Sequence, residues 1–460
     1  MRGERIKLTP IDASFLASES ANAPMHTGAL LLLDGSVSLP QVREVIDRSL
    51  ARMSRLTSRL EGSGPGAEAA LEPDSSFDVE HHLHQIAVSP PYKSAQVADA
   101  AARVFARALR RYRPLWEMTL LCGKDSGRAV LGKLHHCVAD GIAGVDVLEG
   151  LFGAQNGIRS VGAPNRNGNG AFAEAAERVA ALNETPTGLT FDQILQWLGR
   201  PFAARQRITE VIKGAATMAA DVLDLAPRLP FNGRLSTSRR IGWFEIDGLT
   251  LRAIKRRFGC TANDAVLAII TGGVRSYLRV LGYPIRERSL RVLVPVSMRR
   301  QRHGLRSGNE VSLLVAPLPV SIASASARLK EIMRLTQELR SSGQARMLAR
   351  VNETVCSLAP GLLPILGSIV CNRAVNLICS NVPGPRGILE VAGRKVETLV
   401  PLVPIPDGIG LAFGAMTYAG RLCLGVTADA GLVDDLRPVL NGLRQSHAHL
   451  RRAAGIGKDP

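Results

Sequence analysis

The residue types best suited to chemistry sit together at residues 134–144, Leu-His-His-Cys-Val-Ala-Asp-Gly-Ile-Ala-Gly. An apolar run ends in His135 and His136; Asp140 follows the second histidine by four residues, and Gly141 comes next. A neutral imidazole at a strand end can take a proton from an alcohol near neutral pH. A nearby aspartate can fix the local geometry, and a glycine permits a tight turn from strand into helix. Neighbouring side chains on a strand point to opposite faces, so the two imidazoles cannot easily share one metal. The chain has no His-Glu-x-x-His pattern, and no metal is expected. Cys137 beside His136 raises the thought of an acyl-thioester relay, but the same alternation sets it badly for sharing a proton with that ring. The plain alternative is two half-buried histidines at a strand end, followed by an aspartate capping the next helix. Residue types and spacing leave both readings open.

Those residues need a strand before them and a helix after them, and the flanking pattern supplies both. Residues 118–122 and 129–134 read as strands joined by the turn Lys124-Asp125-Ser126-Gly127, and a helix is expected after Gly141. Upstream, residues 28–33 form a short strand ending in the turn Asp34-Gly35, with helices over 40–53 and 98–109. Residues 161–170, rich in Gly and Asn, read as a linker. A helix over 202–223 carries Ile208, Val211, Ile212, Ala215, Val222 and Leu223 on one face, a stripe suited to docking on the core more than to membrane contact. Beyond it come strands at 241–246, 289–296 and 311–318 and helices over 261–281, 324–339 and 433–450. The coarse result is two α/β halves joined by a linker.

Bulk composition narrows the function classes. At 460 residues the chain has room for about two to four domains or one large two-lobed unit. Hydrophobic residues make up 46 %, enough for a sizeable core. Aromatics are only 4 %, which argues against nucleic-acid binding by base stacking. Lys and Arg (57) exceed Asp and Glu (40), a formal charge of +17 that favours nucleic acid, phosphorylated cofactors or an anionic membrane surface without separating the three. The seven cysteines include no Cys-x-x-Cys pair, as expected for reduced thiols in a cytosolic protein. The first ten residues lack the apolar run of a signal peptide, and no apolar stretch reaches the ~18–20 residues needed to span a bilayer. A soluble or peripheral protein is expected. No Walker A or G-x-G-x-x-G loop occurs, so coenzyme phosphates would meet scattered Lys and Arg.

His135-His136-Cys137-Val138-Ala139-Asp140-Gly141 matches the HHxxxDG motif of the coenzyme A-dependent acyltransferase superfamily, which includes peptide-synthetase condensation domains. Further blocks resemble one branch of it, the bacterial wax ester synthase/acyl-CoA:diacylglycerol acyltransferases. These are the opening at residues 8–33, Pro114-Leu115-Trp116, Asn263-Asp264, Pro295-Val296-Ser297-Met298-Arg299, Gly308-Asn309 and Ser380-Asn381-Val382-Pro383-Gly384-Pro385. HHxxxDG alone is moderately specific; the ordered set is strongly so.

The resemblance implies an α/β fold of two chloramphenicol-acetyltransferase-like lobes, with mixed sheets flanked by helices and a substrate tunnel between them. Residues 1–155 would form the lobe carrying the motif, 156–234 a linker with its amphipathic helix, and 235–460 the second lobe. It implies transfer of a fatty acyl group from acyl-CoA, a substrate rather than a cofactor, directly to diacylglycerol, with His136 as general base. Wax ester synthesis from long-chain alcohols is the runner-up; an amide-forming condensation enzyme and a non-catalytic lipid-surface protein are less favoured. Asp140 would be structural and pair with Arg299, while His135 would support packing. Ser380 and Asn381 stand as possible oxyanion or tunnel residues beside the equal reading of an ordinary turn. Trp116 would line the tunnel or belong to the core. Asn263-Asp264 reads first as a helix cap after Thr261. The expected location is cytoplasmic, held peripherally at the inner membrane or on lipid droplets, with no nucleic-acid partner and no cofactor.

Overall fold

Short polar signals decide where the helices begin. The Asp12 amide donates to Thr9 Oγ1 and the Thr9 amide to Asp12 Oδ2, both at 3.1 Å, while Pro10 enters the first turn with its φ preset. Thr261 and Asp264 repeat the reciprocal cap at 3.1 and 2.9 Å, and Thr336 Oγ1 donates to the second Asp264 oxygen at 2.8 Å. The carboxylate of Asp264 is thus committed to capping, as the sequence suggests. Asp140 and Asp247 start two more helices by accepting from the amides of Ala143 and Thr250.

The computed structural model describes residues 5–50, 52–62, 69–123, 126–153, 226–285, 290–297, 311–341 and 374–456. Among these the first half runs β1 (Ile6–Lys7), α1 (Pro10–Ser18), β2 (His26–Val37), α2 (Leu39–Leu50), β3 (Ser58–Glu61), β4 (Ala70–Pro73), β5 (Leu83–Ala87), α3 (Ser94–Phe105), β6 (Trp116–Cys122), β7 (Gly127–His135) and α4 (Gly141–Phe152). The second half runs β8 (Arg239–Asp247), α5 (Gly248–Phe258), α6 (Ala262–Val280), β9 (Leu290–Ser297), β10 (Val311–Leu318), α7 (Ala325–Ser341), β11 (Leu377–Val382), β12 (Glu390–Val391), β13 (Arg394–Leu402), β14 (Leu411–Tyr418), β15 (Arg421–Asp429) and α8 (Arg437–Ala453). The linker expected at 161–170 and the helix expected at 202–223 lie outside the described residues.

Two six-stranded mixed sheets organise these elements. The first has the order β12-β13-β2-β7-β6-β5, with only the β5–β6 pair parallel. The second has the order β10-β9-β11-β14-β15-β8, with β11 parallel to both its neighbours. Strands β1, β4 and β3 form a small third sheet. α2 buries Val42, Ile46 and Leu50, one apolar stripe at four-residue spacing, within the core of the first lobe. α6 is buried along most of its length, because the second sheet and the helices α5, α7 and α8 surround it.

Three expectations need correction. β2 does not end at a turn over Asp34-Gly35; it continues to Val37 through a register irregularity after Leu32, so the polar pair marks a bulge rather than a reversal. α5 was missed, although its start and stop signals stand in the sequence: Asp247 caps it and Gly259 closes it at φ +67°. A division at residue 235 assigns β12 and β13 to the second lobe, yet β13 pairs antiparallel with β2, Leu399 opposite Leu31, and completes the first sheet. Alternation along residues 394–402 marks a strand but not its partner. Closing so long a loop costs only slowly more with length.

The lobes meet along this exchanged strand. A Cβ on Gly425 of β15 would stand 1.9 Å from the Pro401 carbonyl oxygen, so only glycine lets the second sheet approach β13 so closely. Among the described residues no helix is long and apolar enough to cross a membrane.

Candidate active site

β7 delivers the two histidines to the edge of the lobe interface. Its last residue, His135, pairs across with His26 of β2. The chain then turns, so strict strand alternation stops there and the rings do not simply face apart. The His136 amide is anchored on the Met25 carbonyl at 2.9 Å. The half-buried His136 ring stacks on Phe15 of α1, with centroids 3.9 Å apart and planes 19° from parallel. Burial lowers its pKa to about 4, against an opposing pull from the Asp140 carboxylate, so the ring is neutral at physiological pH. Cys137 is fully buried in the core, and burial raises its thiol well above the ordinary range.

Asp140 Oδ1 accepts the Ala143 amide at 2.8 Å and caps α4, fixing the end of the motif loop. Gly141 is needed because a Cβ there would meet Val382 Cγ2 of β11 at 2.7 Å. That close approach brings a strand of the second lobe against the loop that carries His136. The buried Arg55 holds the same loop from beneath, donating from Nη1 to the Val138 carbonyl at 2.8 Å.

A buried polar shell that the sequence reading missed surrounds His135. Its Nδ1 accepts the Cys137 amide at 3.2 Å, and its Nε2 lies 3.5 Å from Glu19 Oε1. Glu19, just past the end of α1, also accepts from the Met25 amide at 3.1 Å and from Arg111 Nη2 at 2.8 Å. Behind it, His26 Nε2 lies 2.6 Å from the Phe105 carbonyl, and Lys133 Nζ donates to the Val104 and Arg107 carbonyls while pairing with Glu117 at 2.7 Å. Two side chains from the strands therefore hold the carbonyls at the end of α3. Glu19 lies inside the opening block 8–33, but nothing in its spacing identifies it; only the folded chain brings it to His135.

The remaining expected site residues divide. Ile378, Ser380 and Val382 alternate onto the face of β11 turned toward the first lobe, so Ser380 shares the side that meets α4. Asn381 is on the other side, where its Nδ2 reaches Asn263 Oδ1 in the first turn of α6 at 3.4 Å. Trp116 is packed inside the first lobe. Its ring stacks on His82 with centroids 4.5 Å apart, and its indole donates to the Leu56 carbonyl at 2.7 Å, which makes it a core residue. Arg299, the expected partner of Asp140, lies outside the described residues.

This arrangement, a neutral imidazole on a rigid loop facing a second lobe, suits proton abstraction from a bound hydroxyl. Residues 8–266 match the family model of the wax ester synthase/diacylglycerol acyltransferase catalytic domain, and residues 307–451 match the C-terminal domain of the same family. The chain is 31 % identical to the "Probable diacyglycerol O-acyltransferase tgs1" of Mycobacterium tuberculosis, covering 96 % of this chain and 95 % of that one. It is 27 % identical to the tgs2 protein of that organism, which carries the same description, over 98 % and 99 % of the two chains. The fold resembles the wax ester synthase/diacylglycerol acyltransferase of Marinobacter aquaeolei VT8, with a TM-score of 0.67 at 22 % identity over 98 % and 100 % of the chains. It also resembles the first condensation domain of the calcium-dependent antibiotic synthetase, with a TM-score of 0.58 at 16 % identity over 98 % and 97 %. With two domain models in order and a full-length relative above 30 % identity, the chain belongs to the wax ester synthase/diacylglycerol acyltransferase family and is an acyltransferase.

Proposed function

We propose that the protein transfers a fatty acyl group from acyl-CoA directly to diacylglycerol, giving triacylglycerol and free CoA. The observation that carries this reading is His136: a neutral ring at a strand end, stacked on Phe15, on a loop fixed by Asp140 and abutted by β11. His136 takes the proton as the acceptor oxygen attacks the thioester carbonyl. The tetrahedral oxyanion then collapses, the C–S bond breaks, and the imidazolium returns its proton to the leaving thiolate. General-base help of this kind is typically worth about 10²–10⁴-fold in rate. Ser380, on the face of β11 that meets α4, is the proposed donor to the acyl oxyanion, and the Asp140 carboxylate keeps its structural role with Arg299 as proposed partner. The names of the tgs1 and tgs2 relatives favour diacylglycerol as acceptor; a long-chain alcohol is the second reading, favoured by the wax ester synthase in the family's description. The excess of basic residues supports peripheral attachment to an anionic membrane face or a lipid-droplet surface.

Purified protein incubated with labelled palmitoyl-CoA and either diacylglycerol or hexadecanol tests the proposal. Labelled triacylglycerol forming faster than wax ester is the expected result. Wax ester as the main product would replace the acceptor, and no transfer to either alcohol would remove the reading.

A further inference from the structure

The second lobe holds a basic cleft of about 500 Å³, lined by none of the residues that surround His136. Phe244, Glu245 and Asp247 at the end of the edge strand β8, Arg421 at the start of β15, and Arg444, His447 and Arg451 on α8 line it. Residues 444, 447 and 451 are three and four apart, so their side chains rise from one face of the helix. Three guanidiniums therefore border one open cleft, against the mutual repulsion of like charges.

The two acidic residues in the lining are already engaged. Glu245 accepts from the Thr398 hydroxyl and from Arg421 Nη1, each at 3.3 Å. Asp247 caps α5 by accepting the Thr250 amide at 2.7 Å. The guanidinium of Arg444 hydrogen-bonds the neutral Asn441 Oδ1 at 3.0 Å. Arg421 is thus ion-paired within the cleft. The cleft differs from the generally basic surface in its concavity and in the convergence of three guanidiniums on it. Planar guanidinium forks match phosphate oxygens in pairs. The volume exceeds that of a bare phosphate and falls in the range of small-molecule sites, and the Phe244 ring offers an apolar wall for an organic group.

We infer that the cleft between β8, β15 and α8 is a binding site for a phosphate monoester, separate from the acyl-transfer site. Two sources share that chemistry: a soluble phosphate ester and the phosphomonoester headgroup of an anionic lipid.

Calorimetric titration with AMP and flotation with phosphatidylcholine vesicles containing phosphatidic acid test the site and separate the sources. Wild-type protein is expected to bind at least one probe saturably. Arg444→Gln and Arg451→Gln should each weaken that binding by about tenfold or more, since a hydrogen bond to a charged group is worth roughly 1.5–3 kcal/mol. Arg437→Gln is the control, because it removes the same charge from an exposed arginine of α8 already paired with Asp435. Loss of AMP binding in the cleft variants identifies a soluble ligand; loss of vesicle binding alone identifies the lipid headgroup. Saturable binding of neither probe, or equal weakening by Arg437→Gln, overturns the proposal.

Discussion

Glu19 Oε1 faces His135 Nε2 at 3.5 Å, while Nδ1 of the same ring accepts the Cys137 amide. The accepting Nδ1 assigns the ring proton to Nε2, on the side of the carboxylate. Burial alone would raise the Glu19 pKa; His135, Arg111 and the Met25 amide overcome it and hold the group at about 2. Glu19→Gln should therefore cost about 1–3 kcal/mol of stability. Because Glu19 acts on His136 only through the loop, kcat should fall while KM changes little. A double-mutant cycle with His135→Gln checks the link; strictly additive effects would break it.

The division of labour within the motif can be read from two alanine variants. His136→Ala should lose about 10²-fold or more in activity with its fold intact. Cys137→Ala should keep most activity, because the thiol is fully buried and its pKa is pushed well up, which makes it a poor nucleophile. Enzyme denatured after exposure to labelled acyl-CoA should carry no stoichiometric label. A stable adduct on Cys137 would mean a covalent relay instead.

Asp140 allows capping and charge to be separated. Asparagine is as good an N-cap as aspartate, whereas alanine loses the cap and costs about 0.5–2 kcal/mol. Asp140→Ala should lower both Tm and activity. Asp140→Asn should keep the α4 cap and so show how much of the effect belongs to the charge. Its carboxylate raises the His136 pKa, so the asparagine variant should also move the acid limb of the kcat/KM profile to lower pH. An unmoved limb would detach Asp140 from the His136 titration.

The pH dependence has a definite sign. A histidine of ordinary pKa would lose its basic form near 6.5. With His136 held at about 4, kcat/KM should instead be flat from about pH 5 to 8 and fall only near 4. Stability should respond earlier. His26 and His136 have folded pKa values below the unfolded one, so the unfolded chain binds protons first as pH drops below 6.5, and stability declines from there. The depressed Glu19 adds a second loss as pH falls from 4.5 toward 2. Thermal melts across this range that show no decline between 6.5 and 4 would contradict the burial of these rings.

Much of the site was legible because it is local. The strand leading into His135, the turn at His136, and the capping pair Asp140 and Ala143 lie within 17 residues, Gly127 to Ala143, where alternation and cap chemistry speak directly. The helices begun by Thr9 and Thr261 carry similar local signatures. What the sequence hid are contacts between distant residues. Glu19 reaches His135 across more than a hundred residues, and Arg55 holds the Val138 carbonyl from 83 residues away. Trp116 illustrates the same limit: its residue type fits a tunnel wall as well as a core, and only the stack on His82 and the bond to Leu56 decide. β13 illustrates it at the scale of a sheet, since strand character does not name a partner.

For a ribosome making this chain, that partner arrives late. β2 ends at Val37 and β13 at Leu402, so roughly 365 residues must be synthesised before the edge of the first sheet is covered. At about 5–20 residues per second, that edge waits some 20–70 s with its backbone donors and acceptors unpaired. An open apolar strand is a template for neighbouring nascent chains. Demand for a holding chaperone should therefore be greatest before the last hundred residues emerge, and truncations ending short of β13 should aggregate rather than yield a folded first lobe.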